Sequence, residues 1–331
     1  MTISVVQGAR FSAIKGIGGY RPRRVVDNAE ICTMIDSSDE WIQTRSGIKE
    51  RRWAGEDETI QMMSVSAARK AIERAGLEPA QIDTVIVSTV THLYQTPAVA
   101  ATIASELGAT GAAAFDISAA CAGFCYGTAM ADSFVRTGTS KYVLVIGVER
   151  LSDITDPHDR STAFIFADGA GAAVVGPSDT PGIGPVVWGS DGDQAALITQ
   201  NEPWDVAMAD EAHWPVLQMN GNPVFKWASY TMAKAAAEAM DAAGISPDQL
   251  EVFVPHQANM RITDAMFRAL KLPQGVIVAR DIARQGNTSA ASIPLAIEAL
   301  LESGEARSGQ TCLIIGFGAG LVYAGQVIAL P

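Results

Sequence analysis

Cys121 lies in the run Ala113-Ala-Phe-Asp-Ile-Ser-Ala-Ala-Cys121-Ala-Gly-Phe124, where a short apolar strand pattern passes into a long amphipathic one reaching Thr137. A thiol in or near the first turn of a helix meets unpaired amide N–H groups and the positive end of the helix dipole. Both favour the thiolate. Two further segments carry groups that suit such a nucleophile. Val252-Phe-Val-Pro-His256-Gln-Ala-Asn259 ends an apolar strand with a histidine, and Gly286-Asn287-Thr-Ser-Ala-Ala-Ser292 opens another helix with an asparagine. A cysteine, a histidine and an asparagine, each at a strand-to-helix junction, are the parts of a nucleophilic acyl-transfer site.

An internal repeat brings these parts together. Residues 71–88 read AIERAGLEPAQIDTVIVS and residues 239–256 read AMDAAGISPDQLEVFVPH, pairing Gly76 with Gly244 and Ser88 with His256. Lys141-Tyr-Val-Leu-Val-Ile-Gly147 is echoed by Gly309-Gln-Thr-Cys-Leu-Ile-Ile-Gly316, and Asp116-Ile117 by Asp281-Ile282. Two βαβα halves are expected: 1–180, carrying Cys121, and 181–331, carrying His256 and Asn287. Packed about a pseudo-twofold axis, they would bring equivalent strand ends to the middle. Ligands of parallel α/β sheets bind at the carboxyl ends of strands, which is where these residues fall.

At 331 residues and 48% hydrophobic content the chain can bury a large core or two fused ones. Short, nearly continuous apolar runs at Thr84–Thr89, Tyr142–Ile146 and Thr311–Ile315 read as strands covered on both faces. They alternate with helical patterns at Ile60–Arg74 and Asn222–Ala243, so the class is α/β with mostly parallel sheets. No apolar stretch reaches transmembrane length, and the N-terminus lacks the basic and apolar regions of a signal peptide. Four irregularly spaced cysteines form no disulfide framework, which suits a reducing cytoplasm. The net charge of −12 argues against a nucleic-acid binder. The segment after His256 is a local exception: Arg261 and Arg268 are seven apart and share a helical face with Lys271 nearby, and Lys226 lies on another helix. That face is either an ordinary solvated one or a docking patch for an acidic partner.

Gly316-Phe-Gly318-Ala-Gly320 resembles a dinucleotide loop, but the remaining residues read as one final strand and no βαβ unit can follow. A backbone N–H in that loop suits an oxyanion hole instead. Asp168-Gly-Ala-Gly171 reads as a structural turn into a strand. His92, His158 and His213 show no metal-ligand spacing, so no metal site is expected. Cys32, Cys125 and Cys312 read as small buried residues. In Asp39-Glu-Trp41-Ile-Gln-Thr-Arg45-Ser-Gly47, Trp41 and Arg45 are either core packing with a surface charge or a platform for a nucleotide base and its phosphate.

Five ordered motifs resemble those of the β-ketoacyl-acyl carrier protein synthase III family of thiolase-fold condensing enzymes, actinobacterial members above all. They are Ser38-Asp-Glu-Trp-Ile-Gln-Thr-Arg-Ser-Gly-Ile48, Ala119-Ala-Cys-Ala-Gly-Phe124, Phe166-Ala-Asp-Gly-Ala-Gly-Ala172, Pro255-His-Gln-Ala-Asn259 and Gly286-Asn-Thr-Ser-Ala-Ala-Ser292. The resemblance runs essentially end to end. It implies a thiolase-like α/β fold whose duplicated halves pack as an αβαβα sandwich. It also implies the condensation of acyl-CoA with malonyl-acyl carrier protein that starts fatty-acid synthesis. Cys121 would be the acylated nucleophile, with His256 and Asn287 hydrogen-bonding the second substrate's thioester carbonyl. Trp41 and Arg160 would sandwich the coenzyme A adenine, and Arg45, Gly221 and Asn222 would contact the coenzyme elsewhere. Gln257, Ala258, Asn259, Met260 and Arg261 match the carrier-protein docking segment, supported by Lys226 and Arg268. Thr96 matches a position that shapes the acyl pocket across a homodimer. The backbone N–H groups of Cys121 and Ala319 are expected to form the oxyanion hole. The implied partners are acyl carrier protein and the acyl-CoA primer; no cofactor, nucleic acid or membrane is implied. A degradative thiolase would place a second cysteine where this chain has Gly316. A homologue that primes or acylates in a polyketide pathway is the nearer alternative.

Overall fold

The structure is a computed structural model and describes residues 3–4, 6–207 and 213–331. Thr84–Ser88, TVIVS, is buried at every position: three apolar residues fill its middle, and of the two small hydroxyl residues at its ends Thr84 is paired with Ser140. Such strands build two five-stranded sheets. The first runs Phe11–Tyr20, Asp168–Ser178, Val143–Arg150, Thr84–Ser88, Ala113–Ile117; the second runs Val187–Gly189, Val322–Ala329, Thr311–Gly318, Val252–Pro255, Ile277–Val278. In this order the sheets correspond strand for strand, with two antiparallel and then two parallel pairings in each. The register repeats as well. Ser88 opposes Gly147 in the first sheet, and Pro255 opposes Ile315, just before His256 and Gly316, in the second.

The layers follow from which helices are apolar on how many sides. Gly123–Thr137 and Ser292–Ser303 lie between the sheets and touch both. Ile60–Arg74, capped by the Thr59 hydroxyl, covers the outer face of the first sheet; Met232–Ala243 covers that of the second. This is the expected αβαβα sandwich. The core between the sheets draws Ile86, Phe124 and Val145 from one half and Val254, Ile293 and Ile314 from the other, so the halves share one interior.

The expected single helix over Asn222–Ala243 is broken in three. Gly221–Lys226 passes into a π turn, Trp227–Thr231, before the α-helix Met232–Ala243. A π turn inserts one residue into the ladder and re-aims a side chain, here that of the buried Trp227. No helix among the described residues is long and apolar enough to cross a membrane.

Candidate active site

Cys121 sits in a single 3-10 turn, Ala120–Ala122, that feeds directly into the helix Gly123–Thr137. The turn backs onto Gly316, where a Cβ would come within 2.8 Å of Ala122 Cα and Cys121 O. The other half repeats the contact: the turn Ser289–Ala291 backs onto Gly147, where a Cβ would meet Ala290 O at 2.2 Å. Each half thus inserts its helix-opening turn against a glycine in the other half's sheet. The convergence expected from the repeat is therefore physical. Gly318, beyond Gly316 on the same strand, lies flush with the nucleophile; a Cβ there would stand 3.0 Å from Cys121 Sγ and 2.8 Å from its N. Ala319 follows in the turn Ala319–Leu321, which packs on the Cys121 turn.

The thiol differs from the expectation of a depressed pKa. Burial pushes it up to about 12, a Ser289 side-chain hydrogen bond pulls it down, and the nearby Glu149 charge pushes it up again. Low-dielectric surroundings penalise the thiolate more than one helix end stabilises it, so the resting group is the thiol.

His256 is 2% exposed and burial pushes it down to about 3, so its ring is neutral. Its Nδ1 stands 2.7 Å from Ser292 Oγ, and the edge of Phe317 packs against it, with ring centroids 5.3 Å apart. Ser292 Oγ already accepts the Gln257 N–H at 3.3 Å and has its own proton to give. On that basis the ring proton is assigned to Nε2, leaving a donor for the site. Asn287 is oriented by the same logic. Its Oδ1 accepts the Ser289 N–H at 2.9 Å, which leaves the Nδ2 donors free. Its backbone is pinned to Ile165 O and Ala167 N, both at 2.9 Å.

Cys121, His256 and Asn287 line one cavity of about 320 Å³ with Phe317 and Gly318. Its mouth includes Trp41, Arg45, Gly221 and Asn222. Trp41 is held by Phe164 edge-on at 5.3 Å, and the Arg160 and Arg45 guanidinium carbons lie 4.9 and 5.7 Å from its ring centroid. The mouth is thus apolar ring flanked by cation, which suits a base with phosphates.

Other expected residues divide. Ala258, Asn259 and Arg261 line the cavity, and Arg261, Arg268 and Lys226 are exposed. Gln257 is a correction: at 1% exposure it donates to Pro255 O and accepts the Ile282 N–H, so it ties the His256 loop to its neighbours and meets no partner protein. Met260 is half-buried, with its side chain beside Gly47 and in contact with Arg280. Asn259 also caps its helix and donates to Arg45 O. Thr96 does not line the cavity within this chain; it is exposed in the loop after Ser88.

Sequence reasoning misses what supports the site. Ala120, Ser289 and Leu321 adopt φ of 43°, 49° and 44°, a left-handed conformation costing a non-glycine residue roughly 1–3 kcal/mol. They fall one in each of the three turns that meet at the site. Nothing in alanine, serine or leucine signals this. Ser289 and Glu149 are missed as well; a lone carboxylate ending the apolar run Val143–Glu149 is the available signal.

The 3-oxoacyl-[acyl-carrier-protein] synthase III family model matches residues 115–192, and its C-terminal counterpart matches 240–330. The chain is similar to the β-ketoacyl-[acyl-carrier-protein] synthase III of Streptomyces glaucescens, 58% identical over 330 residues, covering 99% of each. A mycobacterial β-ketoacyl-[acyl-carrier-protein] synthase III of Mycobacterium avium is 51% identical, covering 99% of this chain and 98% of that one. Among solved structures, a priming β-ketosynthase from a polyketide biosynthetic pathway matches with TM-score 0.98 and 51% identity, covering 100% and 99%. The 3-oxoacyl-[acyl-carrier-protein] synthase III from Aquifex aeolicus matches with TM-score 0.89 and 38% identity, covering 96% and 99%.

Proposed function

Because the chain belongs to the 3-oxoacyl-[acyl-carrier-protein] synthase III family, we propose that Cys121, His256 and Asn287 carry out that family's condensation. The protein is an acyltransferase of the initiating step of fatty-acid synthesis: acyl-CoA and malonyl-acyl carrier protein give 3-oxoacyl-acyl carrier protein, coenzyme A and carbon dioxide. The observation that carries the residue assignment is the single cavity holding a thiol beside two neutral, oriented hydrogen-bond donors.

The Cys121 thiol attacks the primer thioester; its sulfur forms the new C–S bond, the old C–S bond breaks, and the thiol proton goes to the departing coenzyme A sulfur. The tetrahedral oxyanion is met by the amides of Cys121 and Ala319. Trp41, Arg160 and Arg45 hold the nucleotide end, with Gly221 and Asn222 at the mouth. Malonyl-acyl carrier protein then docks over Arg261, Arg268 and Lys226, and its phosphopantetheine passes Ala258 and Asn259. As carbon dioxide departs, negative charge grows on the thioester oxygen. His256 Nε2–H and Asn287 Nδ2–H stabilise it, and the enolate carbon attacks the acyl-cysteine; the new C–C bond forms, the C–S bond breaks, and Cys121 leaves as a thiolate that regains a proton from solvent. Neutral His256 suits this role, since a donor already in place needs no proton transfer. These steps balance without a metal or redox cofactor. We read 1–180 and 181–331 as the two units of the duplication.

A homodimer is supported by the open edge strand Ala113–Ile117, with Phe115 and Ile117 half-buried, and by the exposed Leu93 and Tyr94 beside Thr96. An unpaired edge flanked by apolar side chains is a surface that a second copy would cover. Thr96 would then act on the partner's cavity. A reducing cytoplasm fits the four free cysteines. The likeness to a priming β-ketosynthase favours a second reading, in which the same triad loads primers for a polyketide pathway.

Intact-mass analysis with a panel of acyl-CoAs, followed by malonyl-acyl carrier protein, tests both. Adducts absent from Cys121→Ala that convert to 3-oxoacyl product support the condensing enzyme. Adducts that persist favour a primer-loading acyltransferase without condensing activity, and no adduct at all rejects the nucleophile.

A further inference from the structure

Arg51 is fully buried on the strand Glu50–Trp53, and no carboxylate oxygen among the described residues lies within 4.0 Å of its guanidinium. Three neutral oxygens on two stretches of chain hold it instead. Nη1 donates to Val26 O at 3.0 Å, and Nη2 donates to Asn28 Oδ1 at 2.6 Å and to Phe164 O at 3.1 Å. Burial pushes the group down to about 10, which still leaves it charged at neutral pH. An unpaired buried cation is costly, and an apolar side chain would fill the space without that cost. What the guanidinium adds is direction: a planar fork fixes several acceptors at once, which a point charge or a hydrocarbon cannot.

Two of those oxygens lead to the site. Asn28 donates through Nδ2 to Asp39 Oδ1 at 2.7 Å and to Ile48 O at 2.9 Å, bracketing the helix Asp39–Ser46 that carries Trp41 and Arg45. Phe164 is the residue whose ring packs edge-on against Trp41. Beyond Phe164 the chain is pinned from both sides. Trp53, two residues from Arg51 on the same strand face, donates its Nε1–H to Phe166 O at 3.2 Å. Ile165 O and the Ala167 N–H are the partners of the Asn287 backbone, each at 2.9 Å. Gly286 lets the pieces close, since a Cβ there would stand 2.8 Å from Arg51 Cβ and 2.9 Å from Ala167 Cβ.

We propose that Arg51 and Trp53 are positioning residues, whose hydrogen bonds to the Phe164 and Phe166 carbonyls set the Trp41 wall of the coenzyme mouth and the placement of the Asn287 donor. This rests on Cys121, His256 and Asn287 carrying out the condensation and on Trp41 meeting the coenzyme. Arg51 fixes Phe164 and, through Asn28, the helix that carries Trp41, so the wall is in place before a base enters. Arg51 and Trp53 together hold the carbonyls on either side of Ile165, which offers its own carbonyl to the Asn287 N–H. A shift of this segment carries the Asn287 backbone with it, and the Nδ2 donors follow. The coenzyme end of acylation and the enolate oxygen of condensation thereby share one support.

The test compares wild type, R51K and W53F in Cys121 acylation by acyl-CoA, acylation by the same acyl group on N-acetylcysteamine, and carbon dioxide release from malonyl-acyl carrier protein. R51K keeps the charge and loses the fork. It should raise KM for acyl-CoA about fivefold, the low end of losing a stacking platform, and slow carbon dioxide release about tenfold. Acylation by the N-acetylcysteamine thioester, which lacks the nucleotide, should stay near wild type. W53F keeps a ring and removes the bond to Phe166 O, so it should slow carbon dioxide release and leave KM for acyl-CoA unchanged. Wild-type kinetics in R51K overturn the positioning role. So do equal losses in every measurement in step with a lower melting temperature, the mark of a residue that only holds the core. If R51K does not fold, W53F decides, and unchanged carbon dioxide release overturns the assignment. If the wild type itself gains no acyl group at Cys121 or releases no carbon dioxide, the functional reading fails first and the positioning roles fall with it.

Discussion

Ser292 Oγ stands 2.7 Å from His256 Nδ1 while accepting the Gln257 N–H, and this one hydroxyl decides which face of the imidazole carries a proton. Replacing it leaves a buried ring nitrogen unpaired and frees the tautomer. Ser292→Ala should weaken transition-state stabilisation by about 1–3 kcal/mol. Carbon dioxide release from malonyl-acyl carrier protein should slow accordingly, while Cys121 acylation stays near its wild-type rate.

Asn287 supplies the second donor to the same oxygen. Asn287→Ala should lower decarboxylation by roughly 10²–10³-fold, the usual cost of one oxyanion donor. Cys121 should still be acylated by acyl-CoA in an intact-mass assay. A variant that also fails to acylate would show that Asn287 holds the nucleophile's turn instead.

Gly318 separates steric from backbone effects. Its φ of −171° is ordinary extended backbone, so Gly318→Ala carries no conformational penalty. Its Cβ would nevertheless lie 3.0 Å from Cys121 Sγ. Acylation should fall at least about tenfold for so small a misplacement of the reacting atoms. The melting temperature should move much less than the acylation rate.

Trp41 and Arg160 already touch each other, so a base must slide between them or displace Arg160. Trp41→Ala should raise KM for acyl-CoA by about tenfold, the loss of roughly 1–3 kcal/mol of base stacking. Acylation by a short thioester lacking the nucleotide should be unaffected. Equal losses with both substrates would place Trp41 in core packing alone.

His256 also predicts an acid-sensitive fold. In the unfolded chain it takes a proton below the ordinary imidazole value of 6.5; folded, it is held neutral down to about 3. Between those values the unfolded state binds more protons, so stability is full above 6.5 and is lost as pH falls toward 3. His256→Gln removes that contribution. Its melting temperature should decline less on acidification through this window than that of the wild type.

Much of the molecule is legible in the chain alone. Apolar period and capping are local properties, so they place helix Ile60–Arg74 at its observed bounds and Cys121 in the turn opening its helix. The repeat sets the equivalence of the two sheets, since one strand-helix pattern written twice has one way to fold. Five motifs in order are enough to name the family.

Tertiary structure decided what depends on neighbours distant in the chain. Gln257 and Arg261 are four residues apart in one motif, yet one is buried as a strut and the other is exposed at the mouth. A thiol expected to ionise is held protonated because desolvation, which no local pattern records, outweighs the helix end. The Nε2 donor of His256 exists through Ser292, thirty-six residues away, and the buried Glu149 is met by the hydroxyl of Ser289 from the other half. Local sequence specifies which groups are present and on what element; burial and hydrogen-bond partners, which set their protonation, arise only when the two halves close on one another.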